Sequence, residues 1–160
     1  MNITIKGQPA TKKNSAILTY GHAAILPSKT YKNYAKEFRI QMMALGPLPH
    51  YNTGVQVTCH YYLKDKAHYP DLVGLMQATA DLLQDEYETI HHRRVLSKRW
   101  ILSDDRIIKS WDGTKIAGID KKNPRVEITI TKLETDLSTE TDPQIIRILE
   151  AEECTNTTTM

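Results

Sequence analysis

Residues 70–84 run Pro70-Asp71-Leu72-Val73-Gly74-Leu75-Met76-Gln77-Ala78-Thr79-Ala80-Asp81-Leu82-Leu83-Gln84, and the rest of the chain is read outward from them. At 100° per residue from Asp71, the side chains of Leu72, Leu75, Met76, Thr79, Leu82 and Leu83 fall within about 120° of arc, a normal core-facing stripe. Asp71 follows Pro70 and stands where an N-cap belongs, because its carboxylate can accept from the free N–H groups of the first turn. Asp71, Gly74, Ala78 and Asp81 lie on another side. The small pair Gly74 and Ala78 admits a close approach by another chain or a nucleic-acid backbone. Alternatively it carries no meaning beyond the cost of about 1 kcal/mol for a helical glycine.

On either side of this helix the periodicity changes. Asn2 to Lys6 alternates with Ile3 and Ile5 on one face. Val55 to Tyr62 alternates through Val55, Val57, Cys59 and Tyr61, and Arg125 to Leu133 through Val126, Ile128 and Ile130, so all three read as strands. Ala16 to Leu26 reads as two short strands around Tyr20-Gly21. Ser28 caps a second helix, with Tyr31, Tyr34, Ala35, Phe38, Met42 and Leu45 at helical spacing and Gly46-Pro47 as its stop. Glu86 to Arg99 reads as helical. Arg106 to Trp111 reads as a strand, and Gly118 to Pro124 as a loop. Asp142-Pro143 looks like an N-cap and first helical position, with Ile145, Ile146, Ile148 and Leu149 beyond.

The chain has 160 residues, 40% of them hydrophobic and 25% charged, which suits one globular domain. Cys59 and Cys154 are far apart and form no C-x-x-C pair, which excludes a zinc ribbon and a disulfide framework. No apolar run approaches the roughly 20 residues of a membrane span, and the N-terminus lacks a signal-type apolar stretch. The expectation is a soluble, cytoplasmic protein with no membrane partner. The net charge is +2, but residues 135–160 hold six acids against Arg147, a net −5, which leaves +7 on residues 1–134. A basic body with an acidic tail fits a nucleic-acid partner, since phosphate contacts release counterions. It fits an ordinary solvated basic surface equally well.

No phosphate-binding glycine motif, nucleophile elbow or H-E-x-x-H helix is present, so no nucleotide cofactor is expected. His91 and His92 are adjacent and diverge on a helix, which makes them part of a basic face rather than a ligand pair. Cys59 belongs to the core. Asp71 at a helix start and Asp104-Asp105 before a strand are the carboxylates that can hold Mg²⁺ against a phosphate, because Mg²⁺ takes hard oxygen ligands and keeps several waters. The structural alternative is an N-cap at Asp71 and a turn at Asp104-Asp105.

The order of these pieces resembles a known family. Lys12-Lys13-Asn14-Ser15 follows the first strand. A helix starting Ser28-Lys29-Thr30-Tyr31 comes next, then a strand, then Pro70-Asp71-Leu72 opening a helix that ends Ala80-Asp81-Leu82-Leu83. Ser103-Asp104-Asp105-Arg106-Ile107-Ile108 closes the series. This arrangement resembles the RusA family of Holliday junction resolvases of bacteria, phages and prophages, over most of residues 1–134. The resemblance implies an α/β (α+β) fold, a single domain with a small mixed sheet and packed helices. It would occupy residues 1–134 and be followed by an acidic tail over 135–160, with a short helix over 143–153. It also implies a homodimer that hydrolyses four-way DNA junctions in recombination and repair with Mg²⁺ or Mn²⁺.

By the same resemblance, Asp71 and Asp105 would hold the metal, with Asp104 beside them in the catalytic group. Val73 stands at a family Asp position, Gly74 at an Asn position and Gln77 at a Lys position, so two of three metal carboxylates carry over and the Lys does not. Asp112, Asp81, Asp65 and Glu37 are the other acids weighed for the third place, and Asp81 lies about 15 Å along the helix from Asp71. Lys12, Lys13, Arg93, Arg94, Lys98 and Arg99 are the expected DNA contacts, and segment 85–103 is longer than the family's usual link. Two other readings stay open. One is a DNA-junction binder that does not cut; the other is an interaction protein that docks through its tail helix.

Overall fold

Burial in the strand Val55–Leu63 alternates without a break, and Val55, Val57, Cys59, Tyr61 and Leu63 are all fully buried. A computed structural model, which describes residues 1–12, 14–19, 22–67, 69–134 and 140–157, makes this strand the centre of the sheet. In chain order the elements are β1 (Asn2–Lys6), β2 (Asn14–Thr19), β3 (His22–Pro27), α1 (Lys29–Ala44), β4 (Val55–Leu63), α2 (Leu72–Leu83), β5 (Glu86–Ile90) and β6 (Arg93–Lys98). They continue with β7 (Ile108–Ser110), β8 (Lys115–Ile119), β9 (Arg125–Lys132) and α3 (Pro143–Thr157). β1 pairs antiparallel with β9, and β9 antiparallel with β4; β7 and β8 both pair parallel with β4. The result is a five-stranded mixed sheet accompanied by helices, an α+β fold as expected.

The register explains the core. Ile3 faces Ile128 and Ile5 faces Val126 across one ladder, while Val57 faces Ile130 and Cys59 faces Ile128 across the next. Directly opposed side chains share a face, so these residues form one apolar layer. Helix α1 covers it with Tyr34, Phe38 and Met42, and α2 with Leu75, Leu82 and Leu83. The Tyr61 hydroxyl and Thr79 Oγ1, 2.8 Å apart, tie sheet to helix where both are buried. Ser28 caps α1 by accepting from Tyr31 N–H at 3.2 Å. Burial pushes the Cys59 thiol up to about 12, in keeping with a core role.

Three expectations change. Glu86 to Arg99 is an antiparallel hairpin, β5 against β6, whose residues are all exposed on both faces. A ribbon wet on both sides needs no apolar stripe, so the period that separates strand from helix is missing from its sequence. Arg106 to Trp111 is a single 3₁₀ turn, Asp105–Ile107, followed by the three-residue β7. The loop expected from Gly118 begins inside β8, whose pairing with β4 is non-local.

The small face of α2 is also accounted for. Ala78 is buried within the chain, and a Cβ on Gly74 would meet Thr11 Cγ2 at 3.0 Å, so the chain's own N-terminal segment makes the close approach.

Helix α3 packs on the domain. Asp142 Oδ1 accepts from Gln144 N–H at 2.9 Å at its start. Ile145 is fully buried in the common core, and Leu149 packs against it. Arg106 donates to Gln144, and Lys109 pairs with Glu140 at 3.3 Å, fastening the helix to the segment after Asp105. Ile145→Ala is therefore expected to lower unfolding free energy by about 2–4 kcal/mol. Urea unfolding measures this as a reduced midpoint, and an unchanged midpoint would mean that α3 does not pack in solution.

Candidate functional site

The candidate carboxylates divide between the two ends of α2. Asp71 is the N-cap. Its Oδ1 accepts from Gly74 N–H at 2.6 Å, and an added Cβ at Gly74 would meet that oxygen at 2.8 Å. The glycine thus lets the carboxylate fold back over the helix start. The residues just before it, Tyr69 and Pro70, line a cavity of about 550 Å³ with Thr11, Ser28, Thr30 and Lys64.

Asp105 sits at the other end. Its N–H donates to Gln84 Oε1 at 3.2 Å, and Gln84 is the C-cap of α2. Helix α2 has 12 residues, about 18 Å at 1.5 Å per residue. Asp71 and Asp105 of one chain therefore do not meet, and a metal ion shared between them within one chain is ruled out by that length.

The residue that does accompany Asp105 is Asp81, whose negative charge acts on it. Asp81 lies ten residues along α2 from Asp71, too far to share an ion with it. Its partner is instead at the helix C-terminus, where Asp81 and Gln84 stand one turn apart. This i, i+3 pairing was the visible signal. Asp104 Oδ1 accepts from Arg106 N–H at 3.1 Å and from Arg106 Nε at 2.9 Å. Arg94 Nη2 approaches its other oxygen at 4.0 Å.

The two neighbouring carboxyls are pushed in opposite directions. Burial raises Asp105, and a hydrogen bond with Asp104 and the charges of Asp104 and Asp81 raise it further, against the opposing Arg106. Burial also raises Asp104, but the Arg106 hydrogen bonds outweigh this and hold it below the ordinary carboxylate range.

An acidic groove of about 430 Å³ opens beside this cluster, between the end of α2 and the base of the hairpin. Asp81, Gln84, Glu86, Glu88 and Arg94 line it. Among the described residues, no three His, Cys, Asp or Glu side chains cluster closely enough to hold a metal ion. At the end of α2, Asp81 is paired with Lys12 at 3.0 Å and Asp104 with Arg106 at 2.9 Å, and Asp105 is the carboxyl raised by burial and by its acidic neighbours.

The expected DNA contacts are also placed. Lys12 is engaged with Asp81 at 3.0 Å. Lys13 lies outside the described residues. Arg93, Arg94 and Lys98 are on the exposed hairpin, and Arg99 is exposed just beyond it. Arg94 lies over the Tyr87 ring at 3.9 Å, and Lys98 over Trp100 at 4.5 Å. His91 and His92 form the hairpin turn rather than a helix face.

No model of a known protein family and no curated protein sequence matches this chain.

The raised Asp105 sets the sign of one measurement. A carboxyl raised in the folded state stabilises the fold below its unfolded value, and that stability is lost as pH rises through the folded value. At pH 7 the ionised side chain is therefore a burden that Asp105→Asn removes. The variant should melt higher than the parent at pH 7, with the gain shrinking toward pH 4. Mg²⁺ should raise the melting temperature of the parent and not of the variant. A variant that melts lower at pH 7 would show that Asp105 is held by a favourable contact instead.

Proposed function

We propose that the protein is a divalent-cation-dependent endonuclease for branched DNA that works as a homodimer, in the manner of the RusA family it resembles. The observation that carries this reading is the acidic groove at the end of α2, walled in part by a hairpin whose second strand carries Arg93, Arg94 and Lys98. Carboxylates alone repel DNA. A carboxylate groove lined also by Arg94 fits a phosphate only when a cation lies between them.

The separation of Asp71 from Asp105 supports the dimer. Val73, 72% exposed, and Gln77 form an uncharged exposed patch on the first half of α2, and Ala80 further along the same stripe is buried. If two copies pair antiparallel across this stripe with a two-fold axis at Gln77, Asp71 of one stands opposite Leu83 of the other, next to Gln84 and Asp105. Packed helices lie about 8–10 Å apart, a gap that two facing side chains span. An isologous contact repeats this at both ends and gives two equal sites, one for each strand of a junction.

In this arrangement Asp105 would hold the cation with Asp71 from the second copy, and Asp81 would join them only by releasing Lys12, 3.0 Å from it. Arg106 fixes Asp104 and keeps it ionised, and Gln84 positions the Asp105 backbone. A bound Mg²⁺ supplies Lewis-acid polarisation of the phosphate and acidifies its water. The hairpin cations hold the flanking phosphates.

The chain with Mg²⁺ should cut a labelled four-way junction, and failure to cut under any divalent cation would leave a binding protein. Asp71→Asn and Asp105→Asn should each abolish cutting. Mixed together and allowed to exchange, they should regain about a quarter of parental activity, since half the dimers then carry one intact shared site. No recovery would place each site within one chain. Replacing Arg93 and Arg94 with Ala should lower the log–log salt slope of junction binding by about 1.8, and an unchanged slope would mean that these side chains only face solvent.

A further inference from the structure

We propose that the hairpin tip, Ile90-His91-His92-Arg93, is a wedge that reads the unstacked bases at a DNA branch point and so gives the protein its preference for junctions over linear duplex. This rests on the branched-DNA reading above.

The backbone of the tip provides the first argument. His91 and His92 have φ of 48° and 62°, and they alone connect the paired residues Ile90 and Arg93. A two-residue turn with both φ values positive is the geometry for which Asn-Gly is the preferred sequence. Two β-carbons in the left-handed region are disfavoured there. Both histidines are exposed and pack in no core, so the fold gains nothing from their rings.

The chemistry of the four side chains agrees. Imidazole rings are flat and stack on unpaired bases. Ile90 is 48% exposed beside them, and isoleucine is among the apolar residues that architectural proteins insert between base steps. Arg93 adds a phosphate contact at the same point. Insertion costs least where base stacking is already interrupted, which is the property that distinguishes a branch point from a duplex.

Geometry and charge place the wedge. Glu88 is the last residue of β5 that lines the groove, and the two residues from it to Ile90 carry the tip about 7 Å past the groove at 3.3 Å per residue. A two-stranded ribbon alone is marginal in water, and this one is clamped at its base. Trp100 lies between Arg39 at 4.3 Å and Lys98 at 4.5 Å, its Nε1 donates to Glu86 at 3.2 Å, and Arg39 pairs with Glu86 at 2.9 Å. Glu86, Glu88 and Arg94 line the groove, and Arg93 stands at the tip. A cation is thus favoured at one end and phosphate at the other.

The test replaces the tip with the turn's preferred residues, H91N/H92G, which keeps the hairpin and removes the rings. Affinities are measured by titration in EDTA for a four-way junction and for a linear duplex of the same sequence. Parent and variant are checked by thermal melting and light scattering. The variant should melt no lower than the parent. Its duplex affinity should stay within about twofold, while junction affinity falls about tenfold, the loss expected for stacking on one base. A parent that prefers junctions and a variant that prefers them equally would overturn the wedge and leave the nuclease reading intact. A change in oligomeric state, with both affinities falling together, would make the tip a contact between copies and overturn it as well. A parent that binds neither DNA would overturn both readings.

Discussion

The site geometry depends on how the chain returns to α2 after the hairpin. Ile101 and Leu102 are fully buried, and their N–H groups both donate to the Leu83 carbonyl, at 3.1 and 3.0 Å. Asp85 N–H answers with a bond to the Leu102 carbonyl at 2.8 Å, and Tyr51 brackets the same strip through Ile101 and Ser103. The buried Asp85 carboxylate completes the knot by accepting from Trp100 N–H at 2.6 Å, with His50 Nε2 3.0 Å from its other oxygen. A buried carboxylate is tolerated only when so partnered. The chain therefore leaves the end of α2 at residue 85 and comes back to the same place at residue 100. Whatever follows, including Asp104 and Asp105, is delivered to the C-terminal end of the helix and not to Asp71.

This closure also explains why a long hairpin can be carried there. The hairpin enters and leaves through one fixed neck, so its length has little effect on the sheet or on α2. Its contacts with the body include Trp100 with Arg39 and Lys98, Glu86 with Arg39, Tyr87 with the Ser103 carbonyl, Lys98 with Met43 Sδ, and Arg94 reaching toward Asp104. These contacts are mostly charged or cation–π in kind, which suits a segment that has no core to bury. Arg94 links the two halves of the site, since it stands between the acidic cluster and the basic arm.

The parts of the fold with one buried face were legible in the sequence, because burial imposes a period. β1, β4 and β9 show period two, α1 and α2 show helical spacing, and Ser28, Asp71 and Asp142 act as the caps their positions suggest. The hairpin was not legible. Tyr87 and Leu96 share one face and Ile90 shares the other with Arg93, so apolar residues fall on both sides, and His91-His92 lacks the glycine or asparagine that marks a tight turn. The carboxylates were legible as residues but not as a constellation. Asp71, Asp81, Asp104 and Asp105 stand out by type and spacing, yet which of them meet depends on the return through Leu102, a contact with no local signature.

Val73 and Gln77 follow from the same geometry. They lie on the outer stripe of α2, where a charged residue would meet water and cost little. On the homodimer reading proposed above, a helix face that pairs with its own copy accounts for the exposed valine and the neutral residue one turn after it. Across a two-fold axis each side chain near the centre meets its own counterpart, and like charges there repel. A neutral centre with carboxylates only at the ends, Asp71 on one side and Asp81 with Asp105 on the other, is the distribution that lets two copies approach while concentrating negative charge where a cation can neutralise it.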